Sequence, residues 1–306
     1  MLSSILKNDP LYPPLLREIH GAPDRLFCLG QKLSDKDCYF AIVGTRHASQ
    51  YGKQMTEDFS AYLAARGFVI VSGLAYGIDA IAHWAALKAG GKTIAVLAAG
   101  LENITPPCNR LLAEKIQESG CLITEYEHSF KPYKGTFPQR NRIIAGMSMA
   151  TLVIEAPERS GALITARLAL EYNREVFALP GNITQDTCKG TNCLIRDCKA
   201  FPVTCVQDII EQLEIKFAEK EGEAKSGKMP GGKNLNRLTQ SNIFDVAAGL
   251  NVKERRIFEA LKNSPQTTGT LMSETKLPAP EILSAISMLE LKGLVKTNGS
   301  YVFVTR

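Results

Sequence analysis

Through the first two thirds of the chain, short apolar runs alternate with longer amphipathic stretches. Tyr39-Phe-Ala-Ile-Val43, Phe68-Val-Ile-Val71, Thr93-Ile-Ala-Val-Leu97, Cys121-Leu-Ile-Thr124, Thr151-Leu-Val-Ile-Glu155 and Val176-Phe-Ala-Leu179 are strand-length and apolar on successive positions. Between them, residues 51–66, 78–89 and 109–118 carry apolar side chains at helical spacing. Strands that are apolar on both sides and separated by helices predict a parallel sheet covered on two faces. The expected core is therefore an α/β, Rossmann-like doubly wound, mostly parallel sheet, in which ligands sit beyond the strand C-termini.

The pattern breaks near residue 216. Lys216-Phe-Ala-Glu-Lys-Glu-Gly-Glu-Ala-Lys-Ser-Gly-Lys-Met-Pro-Gly-Gly232 is polar, charged and glycine-rich, and cannot bury enough apolar surface to fold. Past it, residues 252–261, 270–275 and 279–292 read as helices, and residues 293–304 as a hairpin turning at Asn298-Gly299. Three helices and a hairpin are a winged-helix-like pattern. The expected division is an N-terminal extension at 1–35 packed on the core, a Rossmann-like domain at 36–215, a flexible linker at 216–242 and a winged-helix-like domain at 243–306.

Charge sharpens this division. The chain of 306 residues has 36 Lys and Arg against 31 Asp and Glu, a net of +5. Residues 216–306 hold 14 of the basic and 9 of the acidic residues, so residues 1–215 hold 22 of each and are neutral. Only 8 basic against 6 acidic residues lie in 241–306. The small C-terminal unit thus reads as a protein-docking or weak DNA-contacting module, not as a strongly basic sequence reader. No apolar run could span a membrane, and the start lacks the basic and apolar regions of a signal peptide. Eight irregularly placed cysteines fit reduced thiols in the cytoplasm. Cys188, Cys193, Cys198 and Cys205 have wide gaps and no histidine among them, which disfavours zinc.

Candidate chemistry gathers where strands end. Phe137-Pro-Gln-Arg-Asn-Arg-Ile-Ile-Ala-Gly-Met-Ser148 opens a helix with an aromatic ring and two arginines, and Lys134 lies just upstream. A helix N-terminus, cations for phosphate and a ring for stacking are the parts of a single-stranded nucleic-acid site. Taken alone, the stretch reads more readily as a helix entry with a buried Phe and solvated arginines, because exposed charge is ordinary. Gly44-Thr-Arg46, Ser72-Gly-Leu-Ala-Tyr-Gly-Ile-Asp79, Gly100 and Glu158-Arg-Ser-Gly161 add glycine-rich turns at other strand ends, suited to tracking phosphates or simply to turning tightly. Gly90-Gly-Lys-Thr93 lacks the first glycine of a P-loop and precedes a strand, and no Gly-x-Gly-x-x-Gly follows the first strand. ATP and NAD are therefore not expected, and neither is any other cofactor. His83 reads as a hydrogen-bonding core residue and Asp79 as a turn organiser, since no nucleophile pattern accompanies them.

Ala41-Ile-Val-Gly-Thr-Arg46, Ser72-Gly-Leu-Ala-Tyr-Gly-Ile-Asp-Ala-Ile-Ala-His83, Phe137-Pro-Gln-Arg-Asn-Arg-Ile-Ile-Ala145, Glu158-Arg-Ser-Gly-Ala162 and Gly190-Thr-Asn-Cys-Leu-Ile195 occur in one order. In that order they resemble the DNA-processing protein A (DprA/Smf) family over roughly residues 10–214. The resemblance implies a cytoplasmic, homodimeric, non-enzymatic protein that binds and protects single-stranded DNA during natural transformation and loads the RecA recombinase. It implies that Arg46 and Lys134 grip the DNA backbone, that Phe137 stacks on a base and that Arg140 and Arg142 flank the groove. Ser72, Gly73 and Gly161 match the anion-contacting turns, and Asn192, in the last motif, joins the expected DNA contacts. Two departures stand out. Only about ten residues precede Leu11-Tyr-Pro-Pro14, where the family often has a helical domain. The tyrosine of the usual tyrosine-proline element is absent from Leu101-Glu-Asn-Ile-Thr-Pro-Pro107. The alternative on the same scaffold is a nucleotide-hydrolysing enzyme similar to the lysine-decarboxylase-like phosphoribohydrolases, whose glycine cluster is missing from Glu158-Arg-Ser-Gly161.

Overall fold

The computed structural model describes residues 2–223 and, further on, residues 257, 260–261, 266–275, 277–291, 295–298 and 301–304. The chain divides into two compact units, Met1–Glu223 and Ala224–Arg306.

The first unit is built on a sheet of nine strands in the order β1-β2-β6-β5-β4-β3-β7-β8-β9. Its parallel heart comprises β3 (Cys38–Val43), β4 (Phe68–Ser72), β5 (Thr93–Val96), β6 (Cys121–Thr124), β7 (Ala150–Val153), β8 (Glu175–Ala178) and β9 (Phe201–Pro202). The β3 run explains why its residues are apolar without alternation. Tyr39, Ala41 and Val43 join the core on one face of the sheet, while Phe40 and Ile42 join the core on the other. Helices α2 (Gln50–Ala65) and α3 (Ile78–Lys88) supply the second of these cores. Helices α5 (Thr136–Met147) and α6 (Gly161–Glu171) supply the first. Helix α4 (Arg110–Ser119) covers β5 and β6 through Leu112, Ala113 and Ile116.

Strand order reverses between β3 and β7, so the loops after these two strands face each other across the crevice where doubly wound folds place ligands. Every candidate turn named above therefore lies at one end of one sheet.

The N-terminal extension contributes two strands to the sheet. β1 (Leu2–Leu6) pairs antiparallel with β2 (Arg25–Gly30), and β2 pairs antiparallel with β6. The short helix α1 (Pro14–Glu18) between them buries Leu16. Beyond α7 (Lys189–Arg196), helix α8 runs from Val206 to Glu223. It continues past 216, where the sequence reading starts a linker; the rest of that linker lies outside the described residues.

In the second unit, α9 (Thr268–Thr275) and α10 (Ala279–Leu291) accompany a three-stranded sheet of β10 (Gln266–Thr267), β12 (Tyr301–Val304) and β11 (Val295–Asn298). Asn298 pairs with Tyr301 across the hairpin. Gly299, and the helix expected at 252–261 apart from Ile257, Ala260 and Leu261, lie outside the described residues. Leu271, Ile282, Ile286 and Leu289 pack with Val295 and Val302 in a separate small core.

Candidate nucleic-acid interface

The β3 strand runs into Gly44, whose Cα faces the Ile78 side chain so closely that no Cβ fits. Thr45 is held by a hydrogen bond from its N–H to the Glu155 carbonyl, 2.7 Å. Anchored in this way, the turn projects Arg46 into solvent. Its guanidinium sits over the Phe137 ring, 5.6 Å from the centroid, a cation–π arrangement. Phe137 is the second residue of α5 and half-buried. Lys134 is exposed in the turn just before the helix. Thr136 closes that turn, its N–H and hydroxyl both donating to the Tyr133 carbonyl at 3.0 and 2.8 Å. No side chain caps α5 and no acidic residue occupies its first turn, so the positive end of the helix is uncompensated from within. Gly161 is exposed at the start of α6, with open space where a Cβ would stand, and its carbonyl accepts from the Asn141 amide at 3.2 Å.

Arg46, Lys134 and Gly161 are thus exposed at the sheet's ligand-binding end, with the half-buried Phe137 ring under Arg46. Five other expected contacts have partners inside the protein; the burial of Arg140, Gly73 and Ser72 corrects the reading of them as open contacts, while Arg142 and Asn192 stay partly exposed. Arg140 is 4% exposed, donates to the Val96 carbonyl at 2.5 Å and lies against Gly73. Its side chain runs inward from α5 toward the ends of β4 and β5. Burial lowers its pKa to about 10 against the pull of Asp79. Gly73 is buried, with its N–H donating to the Asp79 carboxylate at 3.1 Å. Burial pushes the Asp79 carboxyl up, and Arg140 and the turn's N–H groups oppose that shift. Ser72 is fully buried and donates its hydroxyl to the Ile42 carbonyl at 2.6 Å. Arg142 is half-buried and paired with Glu125. Asn192 clamps Gly181, accepting from its N–H and donating to its carbonyl at 3.1 and 3.0 Å.

The neighbouring crevice between β3 and β7 is filled from within. Glu155, fully buried at the end of β7, accepts from the N–H and hydroxyl of Ser49 at 2.9 and 2.6 Å and from the Thr187 hydroxyl at 3.2 Å. Ser49 is the N-cap of α2. A carboxylate therefore occupies the helix N-terminus where a doubly wound nucleotide-binding protein holds its phosphate. A side chain at Gly52 would collide with it.

His83 is buried, its Nδ1 2.6 Å from the Thr93 hydroxyl, and burial followed by the Arg140 charge lowers its pKa to about 3. It is a neutral core residue. Cys188 is buried against Glu155 and Thr187, Cys193 is half-buried, and Cys198 and Cys205 are exposed. Among the described residues no three metal-binding groups come together, and no helix is long and apolar enough to cross a membrane. Tyr76, half exposed on the turn after β4, is a feature of this edge that the sequence reading passed over. Its signal was an aromatic inside a glycine-rich strand-end turn, where packing gives no reason for a large ring.

A doubly wound sheet whose strand-end loops present cations and a ring, followed by a winged-helix unit, is the architecture of a nucleic-acid-handling protein, and the comparisons specify which kind. The family model for DNA recombination-mediator protein A matches residues 3–214, and that for the DprA winged helix domain matches residues 245–299. The chain belongs to the DprA/Smf family. It is 37% identical over 306 residues to protein Smf of Synechocystis, an alignment covering 94% of this chain and 76% of that protein. It is 42% identical over 213 residues to DNA processing protein DprA of Bacillus subtilis, covering 69% and 71%. The X-ray structure of Streptococcus pneumoniae DprA superposes with a TM-score of 0.65 at 42% identity, covering 69% of this chain and 74% of that one. A Helicobacter pylori DNA processing protein A, whose structure is described for its single-stranded DNA binding mode, superposes with a TM-score of 0.63 at 32% identity, covering 71% and 97%.

Proposed function

We propose that this protein binds single-stranded DNA without sequence preference at the open edge formed by Arg46, Lys134, Phe137 and Gly161, and acts as a mediator that delivers the strand to the RecA recombinase during natural transformation. The observation that carries the reading is the Arg46 guanidinium stacked on the Phe137 ring beside Lys134, at the start of an uncapped helix. Cations over phosphate and a ring under a base form a sequence-tolerant grip, because every base has a face to stack and every nucleotide a charge. The single-stranded DNA binding described for the Helicobacter pylori relative agrees with it.

Binding without turnover is the reading the crevice supports. The α2 N-terminus, where a nucleotide substrate would place its phosphate, is already satisfied by Glu155. The proposal includes a homodimer in the cytoplasm; Leu170, Ile183 and Phe201 are exposed apolar side chains within the 164–214 stretch from which such an interface would be drawn. Gel shifts with single- and double-stranded oligonucleotides across a salt series test the function directly. The expected result is tighter binding of the single strand, weakening as salt rises. Equal, salt-insensitive binding of both would refute it.

A further inference from the structure

We propose that Tyr76 is a second stacking ring of the same groove, so that two neighbouring unpaired bases are held on Phe137 and Tyr76 with their linking phosphate at Arg46. This rests on the single-strand reading above and adds a residue and a footprint to it.

An exposed tyrosine alone is unremarkable; the way this one is held is not. Tyr76 is 50% exposed on the turn between β4 and α3. That turn is pinned from two sides. The Asp79 carboxylate accepts from the N–H groups of Gly73 and Ala75, at 3.1 and 3.4 Å. The Asn109 amide donates to the carbonyls of Leu74 and Ala75, at 2.9 and 3.2 Å. Leu74 has a φ of 56°, a left-handed conformation that a branched side chain resists and that only a well-determined turn retains. The neighbouring Cys108 thiol pushes the pKa of the Tyr76 hydroxyl up. A ring carried on a fixed backbone loses less conformational freedom when a base stacks on it.

The turn is also joined to the Arg46 loop. The Ile78 N–H donates to the Thr45 carbonyl at 3.2 Å, and Gly77, with a φ of 72°, packs directly on the Thr45 and Arg46 backbone, leaving no room for a side chain. Arg46 lies over Phe137, and its charge also acts on the Tyr76 hydroxyl. The Arg46 loop thus carries a cation over the Phe137 ring on one side and packs against the turn that presents Tyr76 on the other. Along a single strand, consecutive bases are joined by one phosphate, and two rings on either side of one cation-bearing loop suit that spacing.

The test uses the full chain, with Tyr76→Ala, Tyr76→Phe and Phe137→Ala variants titrated with a fluorescent oligo-thymidine and with an abasic strand of equal length. Tyr76→Ala should weaken oligo-thymidine binding roughly five- to hundred-fold, the range of one lost base stack, while Tyr76→Phe binds as the parent does. On the abasic strand Tyr76→Ala should match the parent. If Phe137→Ala weakens binding and Tyr76→Ala does not, the groove stands and Tyr76 is no part of it. An equal loss on the abasic strand, or an equal loss with Tyr76→Phe, would assign the effect to something other than stacking and overturn the proposal. If Phe137→Ala and Arg46→Ala also leave binding intact, the site itself lies elsewhere.

Discussion

Two helix N-termini at the same end of the sheet have opposite fates. At α2, the Ser49 hydroxyl caps the helix by accepting from the Gly52 N–H, and the Glu155 carboxylate accepts from the Ser49 N–H and hydroxyl, so an internal anion sits at the positive end. At α5, the cap position is Gly135, the first turn has no acid, and the exposed Arg46 and Lys134 stand around it with the half-buried Phe137 ring. The scaffold offers both termini equally; side chains decide which one is left for a ligand. The same division separates the cations. Arg140 is sealed among Val96, Gly73 and Asp79, while Arg46 is free to meet a phosphate.

The contrast can be broken most severely at its closed side. Glu155→Ala leaves the Ser49 N–H, the Ser49 hydroxyl and the Thr187 hydroxyl without their acceptor inside the protein. These groups are part-buried, so water replaces some of the lost bonds and the destabilisation should be about 1–3 kcal/mol. Urea unfolding measures it; an unchanged midpoint would mean that the crevice is not sealed by this residue.

On the open side, Phe137→Ala should weaken single-strand binding by about 1–3 kcal/mol, the value of one base stack, with the fold intact. Fluorescence anisotropy with a labelled oligonucleotide reads the loss, and parental affinity would remove the ring from the site.

A smaller effect distinguishes the interior by its charge state. His83 is held neutral, with a folded pKa lowered to about 3. Its unfolded pKa is about 6.5. Below that value the unfolded chain binds a proton that the folded chain does not, so this residue's contribution is intact above about pH 6.5 and is lost as pH falls toward 3. Between pH 6.5 and 5.5 the loss is about 1 kcal/mol. His83→Gln keeps a partner for Thr93 and should flatten this part of the stability–pH curve relative to the parent. Parallel curves would contradict a neutral buried imidazole.

The least perturbing test is the salt series. Arg46→Ala and Lys134→Ala should each reduce the slope of log affinity against log salt by roughly 0.7, the release from one single-strand phosphate contact. Slopes equal to the parent's in both variants would place the phosphates on other cations.

Much of the parallel sheet was legible in the chain, because a strand covered on both faces must be apolar at every position, as β3 is. The edge was not. β1 has one buried residue among five and β9 has two residues in all, so neither carries a periodic signal. In the candidate site, the motif residues were legible as a set but not as roles. Arg140 and Arg142 sit two apart on α5 in a sequence that marks both as cations, yet one is sealed against Gly73 and the other is paired with Glu125, partners 67 and 17 positions away along the chain. Tyr76 went unread because its exposure comes from Asp79 and Asn109 holding the turn, which no local pattern encodes.

By itself, then, the sequence determined the alternation of strands and helices, the parallel sheet that brings their C-terminal loops to one end, and the stock of cations and rings available there. Those follow from local periodicity and chain connectivity. Only the tertiary structure decided which charges face water and which neutralise one another inside. Solvation of a charge depends on what packs around it, and its neighbours here come from strands and helices far apart in the chain.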